Sequence, residues 1–376
     1  MIEVDELVAG ARDRSGLADF GSDGWQEGLE QLVAAVLSDL GDDATALATV
    51  EAMIVNRLAN RLRIEDWYAD HGDEAAEPVR GPVVIVGLPR TATTALQYLL
   101  AVDPQFRFTR AWEMSNPVPP PELATERDDP RRLAATSRES VRHISSPDGP
   151  IEDGMVLGLH FHGQELGLPV PTYTAWWRDA DLAGTFAYYD RVLRLLHARR
   201  PPYRWLPKGP AYLFHLEALT RQYPDARFLV THRDPAVSLP STCSTVIDTW
   251  SMLVPTVTVD PEVVGRFLLE HYVEGTRRML IARRALGEQR FFDIAQQDVE
   301  RDAVGTAERI YSFLDLELTD DVRDAMAVWA KENRRGARGE HVYTAEEFGY
   351  TTEGIRDVFS HYLDAFGAFA AEEKQR

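Results

Sequence analysis

The sequence predicts an α/β fold: a parallel β-sheet flanked by helices, with a helical segment before the sheet and a helical insertion within it. Three observations support this prediction. Helical patterns fill residues 1 to about 75, short apolar runs alternate with helical patterns from about 82 to 314, and a further helical region covers roughly 130–200. Alternating strands and helices are typical of a parallel, doubly wound sheet.

The N-terminal helices are predicted from apolar residues at three- and four-residue steps in WQEGLEQLVAAVLSDL and ALATVEAMIVNRLANRL. A polar stretch with proline and glycine, DHGDEAAEPVRGP, then interrupts the helical pattern. We therefore predict an N-terminal helical segment over 1–80 and one domain over 81–376, with the helical cap insertion at 130–200.

Four short segments are the predicted strands, and the first of them is a continuous apolar run, which suits a buried parallel strand. They are PVVIVG (82–87), RWLPK (204–208), RFLVTHR (227–233) and RFFDI (290–294). The helices predicted around them are TTALQYLLAV (93–102), AYLFHLEALTRQY (211–223) and AVGTAERIYSFL (303–314), and PVPPP (117–121) is predicted as a loop.

The chain of 376 residues is acidic, with 40 Lys+Arg against 60 Asp+Glu and a net charge of −20. This charge argues against nucleic acids or anionic membranes as partners, but a few arginines can still bind a small anion. The single cysteine, Cys243, excludes an internal disulfide and a CxxC metal site. Neither a signal-peptide pattern nor a membrane-spanning apolar run is present, so we expect a cytoplasmic protein.

The turn Gly87-Leu88-Pro89-Arg90-Thr91-Ala92-Thr93-Thr94 joins the first predicted strand to its helix. A helix N-terminus offers unpaired N–H groups and a positive dipole end, so such a turn suits a phosphate. The spacing is P-loop-like, but Ala92 and Thr93 stand where a Walker A loop has glycine and lysine. Because ATP and GTP hydrolysis depends on that lysine, the sequence indicates a phosphate loop of another kind.

A second anion site is predicted where the strand 227–232 ends in Arg233, with Ser241 eight residues later. A guanidinium can hold a terminal phosphate through two parallel hydrogen bonds, and a serine hydroxyl can donate to the same group. The alternative for Arg233 alone is a salt bridge with a nearby acid.

These motifs resemble those of the PAPS-dependent sulfotransferases, where PAPS is 3′-phosphoadenosine 5′-phosphosulfate. GLPRTATT is similar to their 5′-phosphosulfate loop, GxPRSGTT or PKSGTT, and Arg233 with Ser241 resembles their 3′-phosphate site. The segment 333–341 resembles the RKGxxG flap. Several sequence segments resemble the bacterial branch of the family. They are more similar to the PRSGTT-type and tyrosylprotein enzymes than to the cytosolic aryl and steroid enzymes.

The resemblance implies that PAPS is the co-substrate, that adenosine 3′,5′-bisphosphate is the product and that no metal takes part. It also implies a set of residues that bind the donor: Pro89, Arg90, Thr91, Ala92, Thr93, Thr94, Arg233, Ser241, Arg334, Arg335 and Gly336.

Sulfuryl transfer develops charge on the bridging oxygen, so it needs cations there and a base for the acceptor hydroxyl. Arg90 and Lys208 are the predicted cations. Lys208 ends a strand, where ligands bind in open α/β folds, and LPKGP is similar to the Lys-x-Pro segment of tyrosylprotein sulfotransferases.

Glu113 is the predicted base, because tyrosylprotein and some bacterial sulfotransferases place a catalytic glutamate in this neighbourhood. The expectation is that Trp112 beside it raises its pKa toward neutrality. His215, His160 and His162 are the alternative bases.

An aromatic-rich stretch within 145–190 forms either the wall of an acceptor pocket or the core of the helical cap. It contains His160, Phe161, His162, Tyr173, Trp176, Trp177, Phe186, Tyr188 and Tyr189. The predicted partner is a small hydrophobic or aromatic hydroxyl compound, and a homodimer is compatible with the sequence. The alternatives are a kinase-like P-loop enzyme and a non-catalytic nucleotide-binding module.

Overall fold

The structure, a computed structural model, describes residues 2–135, 146–200, 203–334 and 343–370. Its strands are β1 (Val83–Gly87), β2 (Phe106–Arg107), β3 (Arg204–Trp205), β4 (Arg227–His232) and β5 (Phe291–Ala295). The helices as far as β3 are α1 (Val4–Ser15), α2 (Trp25–Leu40), α3 (Ala44–His71), α4 (Thr93–Leu100), α5 (Ala111–Ser115), α6 (Pro130–Ala134), α7 (Gly154–Leu157), α8 (Pro171–Trp177) and α9 (Ala183–His197). After β3 follow α10 (Tyr212–Gln222), α11 (Pro235–Leu253), α12 (Pro261–Leu286), α13 (Gln296–Arg301), α14 (Ala303–Leu314), α15 (Asp320–Glu332), α16 (Thr352–Val358) and α17 (Ser360–Ala370).

The sheet is parallel, as predicted. β4 pairs with β1 on one side and with β5 on the other, and β2 pairs with β3. The segment after β3 also joins β1, because Ile85 N–H donates to the Pro207 carbonyl at 2.8 Å and Gly209 N–H donates to the Ile85 carbonyl at 3.3 Å. The spatial order is therefore β2-β3-β1-β4-β5, with β1 in the middle.

Each face of the sheet has its own core, because side chains alternate between the two faces of a strand. Val83 and Ile85 of β1 pack on one face, together with apolar residues of α4, α14 and α15. Val84 and Val86 pack on the other face, in the core that includes α10, α11 and α12. All five residues of β1 are buried, as its unbroken apolar run predicts. The predicted α/β fold is thus confirmed.

The N-terminal helices and the helices α7, α8 and α9 of the predicted cap belong to the larger of these two cores. α3 begins after Asp43, whose carboxylate accepts from the N–H groups of Thr45 and Ala46. α2 packs against α8, so the N-terminal segment lies directly on the predicted cap. The division into a segment 1–80 and a domain 81–376 stays a prediction.

β3 is shorter than the predicted strand RWLPK. Proline has no N–H to donate, so the regular ladder ends before Pro207, although its carbonyl still pairs with β1. Within the described ranges, every helix is either too short or too polar to cross a bilayer.

Candidate functional site

The loop between β1 and α4 has an unusual backbone. Arg90 has φ of 66° and Ala92 has φ of 71°, both in the left-handed region. This conformation costs about 1–2 kcal/mol for a residue with a side chain, and such strain concentrates at functional sites. Gly87 begins the loop without a side chain, since a Cβ there would lie 2.6 Å from Thr231 Oγ1.

Thr91 connects this loop to β4 through hydrogen bonds of its side chain. Its hydroxyl donates to the Leu88 carbonyl at 2.6 Å and lies 2.6 Å from the Thr231 hydroxyl of β4. The side chain is fully buried, so its role in the structure is to fix the loop. Thr93 and Thr94 form the first turn of α4 and are half-buried beside it, as are Pro89 and Arg90 in the loop.

The two anion motifs predicted from the sequence meet at this loop. Arg90 Nε donates to Ser241 Oγ at 3.2 Å, although 151 positions separate the two residues. Arg233 Nη1 donates to the backbone carbonyl of Arg90 at 3.4 Å. Arg233 directly follows β4, and Ser241 lies in α11, which begins two residues after Arg233. Two guanidinium groups and a hydroxyl therefore converge at the carboxyl end of β1 and β4.

A buried polar network supports the strand that carries Arg233. His232 Nε2 lies 2.8 Å from Asp293 Oδ1, and the Asp293 carboxylate accepts two hydrogen bonds from Arg283 at 2.7 and 2.6 Å. Burial alone would raise the pKa of Asp293, but Arg283 and His232 lower it to about 2. This carboxylate therefore stays charged, and it holds β4 and β5 together beside the loop.

Lys208 lies on the other side of the loop and is almost fully buried. Its Nζ donates to Thr94 Oγ1 at 3.2 Å and to Glu152 Oε1 at 2.9 Å. The lysine thus reaches the N-terminus of α4 from the segment that pairs with β1. Glu152 was not among the residues predicted from the sequence, because IEDG carries no motif and only the folded chain brings it to Lys208.

Asp153, next in the chain, positions this lysine from behind. Its carboxylate accepts from the Lys208 backbone N–H at 2.9 Å, from Tyr212 at 2.8 Å, from Tyr189 at 3.1 Å and from Thr109 at 2.9 Å. Burial raises the pKa of Asp153 to about 6, against the effect of these hydrogen bonds. The aspartate connects α9 and α10 to the edge of the sheet.

A cavity of about 130 Å³ opens next to Lys208. Glu152 and Gly209 line its polar side, and Leu157 and Leu166 line its apolar side. Its full lining comprises Glu152, Asp153, Gly154, Leu157, Gln164, Leu166, Gly167, Gly209, Pro210, Ala211 and Tyr212. A small apolar group with one polar end fits such a lining.

The expectation that the pKa of Glu113 is raised is wrong. The carboxylate is fully buried and accepts from Arg107 and Arg110, each at 2.5 Å. Burial alone would raise its pKa, but the two positive charges outweigh burial and hold the pKa below its usual value. Trp112 is buried beside the carboxylate, yet the arginines decide its charge. A proton acceptor tied to two cations is a weak base, so this geometry speaks against Glu113 as the base.

The three histidines considered as bases are buried. His160 and His162 contact each other and pack beneath α2 and α9. His215 lies at a kink inside α10, edge-on to Trp177. Burial lowers the pKa of His160 and of His215 to about 3. None of the three lines the cavity beside Lys208.

The aromatic residues of 145–190 form the core of the cap. Tyr173, Trp177, Phe186 and Tyr188 are buried among apolar neighbours, and this favours the structural interpretation of that stretch. Arg334 is exposed just after α15, while Arg335 and Gly336 lie outside the described residues. Across the part of the chain that the structure describes, no three acidic, histidine or cysteine side chains gather as metal ligands.

Residues 82–321 match the model of the sulfotransferase family. The crystal structure of sulfotransferase STF9 from Mycobacterium avium has 30% identity and a TM-score of 0.88, covering 100% of this chain and 99% of that one. STF1 from Mycobacterium tuberculosis H37Rv has 27% identity and a TM-score of 0.82, covering 96% and 99%.

The omega-hydroxy-beta-dihydromenaquinone-9 sulfotransferase Stf3 of Mycobacterium bovis is 26% identical over 266 residues. That match covers 62% of this chain and 63% of the relative, so it spans less than two thirds of the relative's length. The family match includes the loop, Lys208, Arg233 and Ser241, whose convergence is described above. This chain belongs to the sulfotransferase family.

Proposed function

We propose that the protein transfers a sulfuryl group from PAPS to a hydroxyl group of a small apolar acceptor by in-line displacement. One observation carries the proposal: the loop after β1 has Arg90, Ser241 and Arg233 on one side and Lys208 on the other. These are the cations and donors that a nucleotide with phosphates at both ends and a transferable sulfuryl group requires.

The donor's two ends have separate sets of candidate ligands. The backbone N–H groups of Arg90–Thr94, in the loop and the first turn of α4, with the Thr93 and Thr94 hydroxyls, would hold the 5′-phosphosulfate. Arg233 and Ser241 would hold the 3′-phosphate, and Arg334 would also bind the nucleotide, as would Arg335 and Gly336, which lie outside the described residues. The left-handed backbone at Arg90 and Ala92 supports this assignment, because it tightens the turn around an anion.

Arg90 and Lys208 would stabilise the bridging oxygen as the sulfur–oxygen bond breaks. Both are within 3.2 Å of other proposed donor ligands, namely Ser241 and Thr94. Charge on that oxygen exists mainly in the transition state, so cations fixed beforehand accelerate the reaction rather than merely bind the donor. We propose that these two cations fill this role without a metal.

The acceptor would enter through the cavity beside Lys208. Its small volume, about 130 Å³, suits the reactive end of a molecule whose remainder lies outside. The name of the mycobacterial relative describes an omega-hydroxylated dihydromenaquinone, a lipid-like acceptor. We propose for this protein an alcohol or phenol attached to an apolar body.

The experiment compares thermal stabilisation by adenosine 3′,5′-bisphosphate, AMP and ATP with magnesium. A ligand at 100 times its Kd stabilises by about 2.7 kcal/mol. The bisphosphate should stabilise strongly, while AMP, which lacks the 3′-phosphate, should do so only weakly. Equal stabilisation by ATP would instead support the kinase-like alternative, a P-loop protein that binds nucleoside triphosphates.

A further inference from the structure

We propose that Glu152 takes the proton from the acceptor hydroxyl during sulfuryl transfer. The inference rests on the proposed function and names a base for it among the described residues. Glu113 is bound to Arg107 and Arg110, and the buried histidines lie away from the cavity.

Glu152 lies where the acceptor, the donor and a cation would meet. Its Oε1 is 2.9 Å from Lys208 Nζ, and that same Nζ is 3.2 Å from Thr94 Oγ1 in the first turn of α4. Only the Lys208 side chain therefore separates the Glu152 carboxylate from the first turn of α4, where the loop after β1 ends. A base must lie within reach of the proton it removes and also close to the group that is transferred.

The same carboxylate faces the proposed acceptor path. Glu152 lines the cavity together with Gly209 and Pro210, the residues that follow Lys208. Its side chain is 51% exposed, whereas that of Glu113 is 0% exposed. Exposure matters because a base must meet an entering substrate and must return its proton to water after each turnover.

The backbone around Glu152 is fixed. Asp153 N–H donates to the Lys208 carbonyl at 3.0 Å, and the Asp153 carboxylate accepts from the Lys208 N–H at 2.9 Å. This reciprocal pair locks the two segments side by side, so Glu152 and Lys208 remain neighbours although 56 positions separate them. Hydrogen bonds of this kind hold reactive side chains at a fixed distance from each other.

The step balances without another reactant. The acceptor oxygen forms a bond to sulfur while its O–H proton passes to a Glu152 oxygen. The bond between sulfur and the bridging oxygen breaks, and its electron pair stays on the 5′-phosphate of the product, next to Lys208. The sulfate ester and adenosine 3′,5′-bisphosphate leave, and Glu152 releases the proton to solvent.

Glu152 could instead act only by holding Lys208 in place, and the two roles predict different results. A base matters most for an acceptor that keeps its proton and least for one already ionised. A positioning residue affects the leaving oxygen and therefore all acceptors alike. Glu152→Gln separates the roles, because the amide oxygen can still accept from Lys208 while the side chain can no longer take a proton.

The test measures transfer of labelled sulfur from PAPS to benzyl alcohol and to 4-nitrophenol by wild type, Glu152→Gln and the control Glu217→Gln. Glu217 is an exposed residue of α10, the helix that follows Lys208. We expect Glu152→Gln to lower alcohol turnover by about 10²–10⁴-fold and nitrophenol turnover by less than about 10-fold. Bisphosphate affinity should stay within about threefold of wild type, and Glu217→Gln should behave as wild type.

Equal losses with both acceptors, or a loss of bisphosphate affinity, would overturn the base role in favour of positioning Lys208. Unchanged alcohol turnover would also overturn it. A wild-type protein that transfers label to neither acceptor and ignores the bisphosphate would overturn the proposed function, and this inference with it. Wild-type turnover of the alcohol by Glu152→Gln would overturn the assignment of Glu152 alone and leave the proposed function standing.

Discussion

Individual side chains at the loop after β1 come from distant parts of the chain. Arg90, Arg233 and Ser241 could be named from the sequence because each lies at a fixed offset from a strand end. Glu152 could not, because its proximity to Lys208 depends on how the cap folds back onto the sheet. The pKa of Glu113 was mispredicted for the same reason, since Arg107 and Arg110 reach it only in the folded chain.

Arg233→Ala should weaken binding of adenosine 3′,5′-bisphosphate by one to two orders of magnitude. A charged contact to phosphate contributes about 1.5–3 kcal/mol, and about 1.4 kcal/mol corresponds to a tenfold change in Kd. Isothermal titration calorimetry measures the change. Arg227→Ala is the matched control, because Arg227 begins the same strand at its opposite end and donates to the Gln289 carbonyl. Similar losses in both variants would contradict the assignment.

Glu113→Gln should lower stability. Removing the negative charge leaves Arg107 and Arg110 buried beside a neutral group, and breaking a buried ion pair costs about 3–5 kcal/mol. Urea unfolding gives this difference. The control is Glu122→Gln, whose exposed pair with Arg199 should contribute less than about 1 kcal/mol. Wild-type stability together with lost sulfation of an alcohol would return the base role to Glu113.

Some secondary-structure elements could be predicted from local sequence patterns alone, and others could not. β1, β4 and β5 were predicted within one residue at either end: β1 is an unbroken apolar run, and β4 and β5 are short segments with apolar residues that alternate with helical patterns. α2 was predicted over its whole length from its three- and four-residue apolar spacing. α11 was not predicted, because Pro240 lies inside it and its apolar and hydroxyl residues give no clear period. β2 has two residues, too few for any pattern.

Asp153 joins α9 and α10 to the segment after β3, and its charge should make stability depend on pH. Its pKa is raised from 3.8 to about 6, so between these values the native state holds a proton that the unfolded state releases. Its contribution to the free energy of unfolding is therefore largest below the unfolded pKa and is lost as pH rises through about 6.

Asp153→Asn removes this titration. Urea unfolding at about pH 4 and pH 7 should show wild type losing stability relative to the variant as the pH rises, by up to about 1.4 kcal/mol per pH unit. The buried His160 and His215, with pKa values lowered to about 3, titrate in both proteins and cancel in the difference. A difference that stays constant between the two pH values would show that Asp153 is ionised throughout.

At the scale of the whole molecule, the predicted α/β fold and sulfotransferase family are confirmed, and the site places both anion motifs around one loop. The aromatic-rich cap was harder to interpret from sequence, because buried aromatic residues serve a core and a pocket equally well. In the structure most of them are buried in the core, and the cavity beside Lys208 is lined by other residues.

We propose that this fold moves a sulfuryl group from PAPS to a hydroxyl group. The most direct measurement follows labelled sulfur from PAPS, in EDTA, across a panel of alcohols and phenols that includes lipid-like members. We predict an acceptor-dependent sulfate ester, formed in equal amount with adenosine 3′,5′-bisphosphate and undiminished by the chelator. Label that stays on PAPS with every acceptor, or activity that returns only when magnesium is restored, would contradict the claim.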